Sequence, residues 1–88
     1  MASYELVFKK SVAKDFRSIP KKDVARILER IEALREYPRG EGCVKLSAQQ
    51  ERYRVRQGIY RIVYEIQDNE LIVIVVKVAY RSSIYRNS

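Results

Sequence analysis

Arginine and tyrosine interleave between positions 52 and 64, in the run RYRVRQGIYRIVY, and meet again near the end of the chain in AYRSSIYR. These side chains suit a phosphate. A guanidinium presents a planar fork of N–H donors that matches phosphate oxygens, and it stays charged at any physiological pH. The chain has no histidine and a single cysteine, which excludes histidine-based nucleophiles, histidine metal sites and cysteine-rich zinc sites. Its acids are scattered over what read as helices and turns, so a two-metal carboxylate centre is not expected. No glycine-rich loop opens a helix to cradle a nucleotide. The chemistry therefore needs no cofactor and no metal. Arginine, lysine and tyrosine can still cleave RNA, because the 2′-OH is an internal nucleophile. Catalysis then consists of positioning and of stabilising the charge on a pentacovalent phosphorane. Arginine cannot be the general base. A tyrosine can, if neighbouring guanidinium groups lower its pKa from about 10.

Strand periodicity says where the arginines point. Arg52, Arg54 and Arg56 alternate with Tyr53 and Val55, so the two sets occupy opposite faces of a strand. A two-residue loop at Gly58-Ile59 sets Arg56 opposite Arg61 and Arg54 opposite Val63. Like charges directly opposite each other destabilise a sheet, so this pairing needs a reason, and a bound phosphate is a natural one. Arg54, Arg56, Arg61 and Arg81 form the candidate set, on a face that offers no acid to pair them. A three-residue loop at Asp68–Glu70 would set Lys77 opposite Arg61; a two-residue loop would turn Lys77 to the other face. The pattern leaves both open. Tyr53 and Tyr64 face each other on the other side, beside Val55 and Ile62, as core residues.

The elements that carry this surface follow from pattern and punctuation. Tyr4–Phe8 reads as a short strand at or near a sheet edge. Ser11 is a candidate cap for a helix over Val12–Ser18, with Val12, Ala13 and Phe16 on one face. Pro20 ends that helix and opens the next. From Lys21 to Tyr37, Val24, Ile27, Leu28, Ile31 and Leu34 recur at helical spacing, one stripe of an amphipathic helix. Its charged opposite face, including Arg26 and Arg30, is explained by solvation alone. Pro38, Gly40 and Gly42 end it. Val44–Leu46 is briefly extended and Ser47–Glu51 is loop-like. Leu71–Tyr80, apolar on both faces as far as Val76, reads as a central strand covered on each side. The expected fold is α+β: a short strand, two helices, then a three-strand antiparallel meander with both helices on one sheet face. Residues 1–88 read as a single domain.

Eighteen basic against eleven acidic residues leave a net charge of +7, which suits a polyanionic partner. The longest apolar run is too short to span a bilayer, and MASYELVFKK lacks the layout of a secretory signal, so no membrane is expected. A lone Cys43 permits no intrachain disulfide, fits a reducing cytoplasm, and reads as an incidental thiol.

The pattern YRVRQGIYRIVYEI (Tyr53–Ile66), the apolar strand through Val78, AYRSSIY (Ala79–Tyr85), Lys45-Leu46 and EYPRGEG (Glu36–Gly42) together resemble the RelE/ParE superfamily of toxins from prokaryotic toxin–antitoxin pairs, on the RelE side. The resemblance covers nearly the whole chain. It implies a ribosome-dependent endoribonuclease that cuts mRNA in the ribosomal A site and leaves a 2′,3′-cyclic phosphate. Carried over by position, the catalytic set is Arg54, Arg56, Arg61, Arg81 and Tyr85, with Tyr85 as the candidate base. Lys45, Arg52, Lys77 and Arg86 are added as RNA-binding residues, although a solvated surface is the simpler account of Arg52 and Arg86. RelE-like proteins often carry lysine where Arg54 and Arg56 stand, so a proton-donating lysine is absent here. The resemblance also implies an antitoxin partner with an acidic or partly disordered segment, and a toxin–antitoxin hetero-oligomer. Two alternatives remain at this level: a ParE-like, non-catalytic toxin acting on DNA gyrase, and a plain RNA-binding module.

Overall fold

The computed structural model describes residues 3–46 and 51–80. Its elements are β1 (Glu5–Phe8), α1 (Lys10–Arg17), α2 (Lys21–Ala33), β2 (Val44–Lys45), β3 (Arg52–Gln57), β4 (Tyr60–Gln67) and β5 (Ile72–Tyr80). The three long strands form the expected antiparallel meander, and two short strands extend it into a five-stranded mixed sheet of order β1-β5-β4-β3-β2. β1 lies at the edge, as its length and pattern suggest, and pairs in parallel with β5. Chain order alone could not reveal that pairing.

The β3–β4 hairpin closes on the two-residue loop Gly58-Ile59, with Gln57 opposite Tyr60. Gly58 supplies the positive φ of 60° that the first position of such a loop demands. The β4–β5 connection follows neither anticipated register. Gln67 pairs with Ile72, leaving a four-residue loop, and the ladder slips between Val63 and Tyr64: Tyr64 faces Val75, but Val63 faces Lys77. Val76 is thus the extra residue of a β-bulge. Arg61 consequently faces Ala79 rather than Lys77. Without the bulge, Lys77 would fall opposite Ile62 and point into the core, since side chains alternate with period two.

One face of the sheet holds the core. Tyr53, Val55, Tyr60, Ile62, Tyr64, Ile66, Val73, Val75 and Val78 are buried with Val12 of α1 and Ile27, Ile31 and Leu34 from the second helix and its cap. Both helices therefore cover the same face, α1 over β5 and α2 over β3 and β4. Tyr53 and Tyr64 stack at 5.9 Å, confirming them as core. The helical details differ from expectation. α1 starts at Lys10 with Lys9, not Ser11, in the capping position, and Ala13 is exposed while Phe16 packs on the core. α2 ends at Ala33 rather than Tyr37, with Leu34 donating back to Ile31 in a tightened last turn. Leu28, 100° from Ile27 around the helix, lies at the margin of the stripe and is 41% exposed.

β5 is interior in strand order and more deeply covered on one face than on the other. Ile72, Ile74 and Val76 are half-buried while Val73 and Val75 are fully buried. The expectation of a strand covered on both sides thus holds in part, with one face fully and the other partly covered. No helix of the described residues is long and apolar enough to cross a membrane.

Candidate nucleic-acid interface

The sheet face turned away from the helices carries the arginines. Two lateral rows define it. In one, Val44, Arg54, Val63 and Lys77 stand side by side across β2, β3, β4 and β5. In the next, Arg56, Arg61 and Ala79 do so across β3, β4 and β5. Neither row contains an acid. Three guanidinium groups and an ammonium thus originate from seven strand positions, with Arg56 directly opposite Arg61, where Cβ atoms approach to about 5 Å. Arg56 is exposed, Arg54 half-buried and Arg61 only 4% exposed. A buried guanidinium is held more rigidly than an exposed one.

The bulge at Val76 brings Lys77 onto this face, and α1 holds it there. Asp15 receives Lys77 Nζ on one carboxylate oxygen at 2.9 Å and the Val78 backbone N–H on the other at 3.1 Å. β1 runs out at Phe8, opposite Val75, so β5 would otherwise show an open edge from Val76 onward. Asp15 closes that edge. Nothing in the sequence pattern pointed to this carboxylate, since the contact spans 62 residues.

The remaining candidates divide. Arg52 lies on the arginine face, one row below Arg54, and its guanidinium pairs with Glu65 directly opposite; that carboxylate corrects the expectation of a face free of acids. Lys45 falls in the Tyr53 row, on the helix-covered side, with Nζ 3.5 Å from Glu51. The structure therefore separates Lys45 from the arginines. Arg81, Tyr85 and Arg86 lie outside the described residues, as do residues 47–50 of the expected loop.

Sequence reasoning also passed over Arg30. A shallow hollow of about 460 Å³ at the β2 edge is lined by Arg54 and Arg56 together with Arg30, Glu41, Gly42 and Val44. Arg30 reaches it because its Nη2 donates to the Glu41 carbonyl at 3.0 Å, across a loop that Gly42 turns with a φ of 85°. Its partner is a backbone carbonyl, so residue types gave no signal of it. Cys43 lies beside the same guanidinium, Sγ 3.9 Å from Nη2.

A second charged cluster is structural. Arg39 grips Asp68 with two N–H groups at 2.7 and 3.0 Å, donates Nε to the Tyr53 hydroxyl at 2.9 Å, and reaches Glu51 at 3.3 Å. Tyr4 adds its hydroxyl to Asp68 at 2.8 Å, and Tyr53 adds its own to Glu51 at 2.7 Å. The Arg39 hydrogen bonds, helped by Tyr4, hold the Asp68 carboxyl down at about 2, while Asp68 pushes the Tyr4 phenol upward. These groups tie the loop after α2 to the β4–β5 turn. Burial likewise raises the phenol of Tyr64, whose hydroxyl donates to the Pro38 carbonyl at 2.6 Å. Neither Tyr4 nor Tyr64 has the lowered pKa that a general base at neutral pH requires. Among the described residues no three His, Cys, Asp or Glu side chains converge to hold a metal.

A family model described as the ParE toxin of the parDE type II toxin–antitoxin system matches residues 6–85. A candidate toxin RelE1 of Methanocaldococcus jannaschii is 31% identical over 81 residues, which span 89% of this chain and 90% of the relative. Among solved structures, a chain of the RelB–RelE antitoxin–toxin complex from Methanococcus jannaschii superposes with a TM-score of 0.73 at 27% identity, over 92% of this chain and 96% of that one. The isolated E. coli RelE toxin superposes with a TM-score of 0.77 at 26% identity, over 97% and 94%.

Proposed function

Since the chain belongs to the ParE/RelE toxin family of type II toxin–antitoxin systems and is RelE-like, we propose that it is a ribosome-dependent endoribonuclease that cuts mRNA in the A site. The observation that carries this reading is the double arginine row, with Arg56 set directly opposite Arg61 and Arg54 in the adjoining row. Three guanidinium groups gathered on one face match the oxygens of a phosphate. In this mechanism the RNA 2′-OH attacks its own phosphorus. Arg61, fixed by burial, and the more exposed Arg56 bind the non-bridging oxygens and stabilise the charge that grows on them, which is where preorganised donors act most strongly. Arg54 and Arg81 add to that charge. Tyr85 takes the 2′-OH proton as the 2′-O–P bond forms, the P–O5′ bond breaks and the 5′-oxygen takes a proton from water, so the products are a 2′,3′-cyclic phosphate and a free 5′-OH. No metal enters the reaction. The protein acts in the cytoplasm and is neutralised by a cognate antitoxin, as in the RelB–RelE complexes it resembles.

Mapping mRNA 5′ ends after brief induced expression tests this. Cuts within translated codons, in frame, are expected. The match to a model described as ParE favours a second reading, a toxin that acts on DNA gyrase without cleaving RNA. Intact mRNA accompanied by DNA damage would establish that reading instead.

A further inference from the structure

Arg30 has no part in the mechanism above, yet it is one of three guanidinium groups that line the hollow at the β2 edge. β2 begins at Val44, opposite Arg54, so no described strand pairs with β3 beside Arg56. The space left there, about 460 Å³, is lined by Arg54 and Arg56 from β3 and by Arg30 from α2, with Gly42 and Val44 beside them. Glu41 is the one acid in the lining.

Arg30 is fixed in place without being neutralised. Its anchor is the Glu41 backbone carbonyl, 3.0 Å from Nη2, which offers a dipole rather than a charge. The same nitrogen lies 3.9 Å from Cys43 Sγ, and Arg30 makes no ion pair with a described residue. Gly42 lets the backbone pass close to this guanidinium, since a Cβ added there would lie 3.7 Å from Nη2. Both contacts come from one nitrogen, whereas a guanidinium carries five N–H donors. A positioned cation of this kind suits an anion supplied from outside.

We propose that this hollow binds a second phosphate of a single RNA strand, next to the one held between Arg56 and Arg61, with Arg30 as its added ligand. The inference rests on the reading above, in which the arginine rows hold the scissile phosphate. Continuity selects the occupant. Arg54 and Arg56 belong to both places, and Arg61, Arg56 and the hollow follow one another across β4, β3 and the edge beyond. One step across a sheet is about 5 Å, within the reach of one nucleotide. A shallow hollow open to the arginine face also suits a chain that enters and leaves it. A protein partner would draw its affinity from buried aromatic or aliphatic anchors, and Val44 is the one exposed large apolar side chain in the lining.

The test counts phosphates. The full-length protein is titrated, with NMR shifts as the readout, against a dinucleoside monophosphate of adenosine whose first sugar is 2′-deoxy and so lacks the internal nucleophile. Two further probes carry an added phosphate at the 5′ or the 3′ end. In the wild type one of these should bind about tenfold more tightly than the parent, the worth of one charge-assisted hydrogen bond. In Arg30→Gln that ratio should fall to about one. In Glu41→Gln it should rise, because the backbone carbonyl that holds Arg30 is kept while the acid in the lining is removed. A purely structural role for Arg30 would move neither ratio. Arg56→Gln against the parent probe tests the first phosphate site, so that reading and the second subsite can fail separately. No gain from either added phosphate, or a gain that survives in Arg30→Gln, would overturn the proposal. If Arg30→Gln does not fold, Glu41→Gln decides, and a ratio that fails to rise is equally fatal. A hexaglutamate peptide released by Arg30→Gln while the phosphate gain persists would assign the hollow to an acidic protein instead.

Discussion

Asp15 offers the sharpest test of how the fold positions its arginine face. Its side chain is 12% exposed and makes two bonds, to Lys77 Nζ and to the Val78 amide. Asp15→Ala deletes both. The Val78 amide, on a residue 2% exposed, would be left without an acceptor, a loss of about 1–3 kcal/mol. Lys77, with its side chain 51% exposed, contributes under about 1 kcal/mol to the pair after solvent screening. The sum is about 1–4 kcal/mol, which for a domain of this size lowers Tm by roughly 4 °C or more. Asp15→Asn separates the two bonds. An amide oxygen can still accept from Val78 while the ion pair is lost, so it should cost under about 1 kcal/mol. Thermal unfolding gives the magnitudes, and amide hydrogen exchange at Val78 locates the damage. Cleavage should fall more in the alanine variant than in the asparagine variant, because the loosened edge carries Lys77 and Ala79 away from Arg54 and Arg61. If Asp15→Ala melts with the wild type and Val78 stays protected, β5 is held by something else and the reasoning fails.

Arg56→Gln, at an exposed position, should leave stability within about 0.5 kcal/mol but slow single-turnover cleavage on programmed ribosomes by roughly 10²–10³-fold, the usual worth of one charge-stabilising donor; an unaltered rate would remove Arg56 from the site. Tyr85→Phe keeps the ring and deletes the only candidate base, so ribosome binding should persist while cleavage slows by roughly 10²–10⁴-fold; wild-type cleavage by the phenylalanine protein would make Tyr85 a packing residue. The Asp68 carboxyl is depressed from 3.8 to about 2 in the folded protein, so its contribution is complete above pH 3.8 and disappears as pH falls through 2. With the side chain 49% exposed, that contribution is under about 1 kcal/mol; Asp68→Asn should be less stable by that much at pH 7 and equal only once the pH is well below the folded pKa of about 2, and a gap that persists there would assign the effect to packing.

What the sequence alone determined is local. Two residues between alternating runs set the β3–β4 register, so Arg56 opposite Arg61, Arg54 opposite Val63 and Tyr53 against Tyr64 were all legible from pattern alone. Helical spacing likewise marked Ile27, Ile31 and Leu34 as the buried stripe of α2, and the order of elements with both helices on one face followed from the patterns. Tertiary structure decided the rest. The β4–β5 register depends on a bulge at Val76, and the open edge beyond Phe8 is closed by a carboxylate 62 residues away in the chain. Lys77 owes its face to that bulge, and Arg30 reaches the hollow through a backbone carbonyl. Lys45 and Arg52 looked alike as charges, yet strand pairing put one on the helix-covered side and set the other against Glu65. The physical reason is common to all of these. A period of two or 3.6 residues reports which side of its own element a residue occupies, whereas a bulge, a parallel edge pairing or a charge partner is set by what another part of the chain brings alongside.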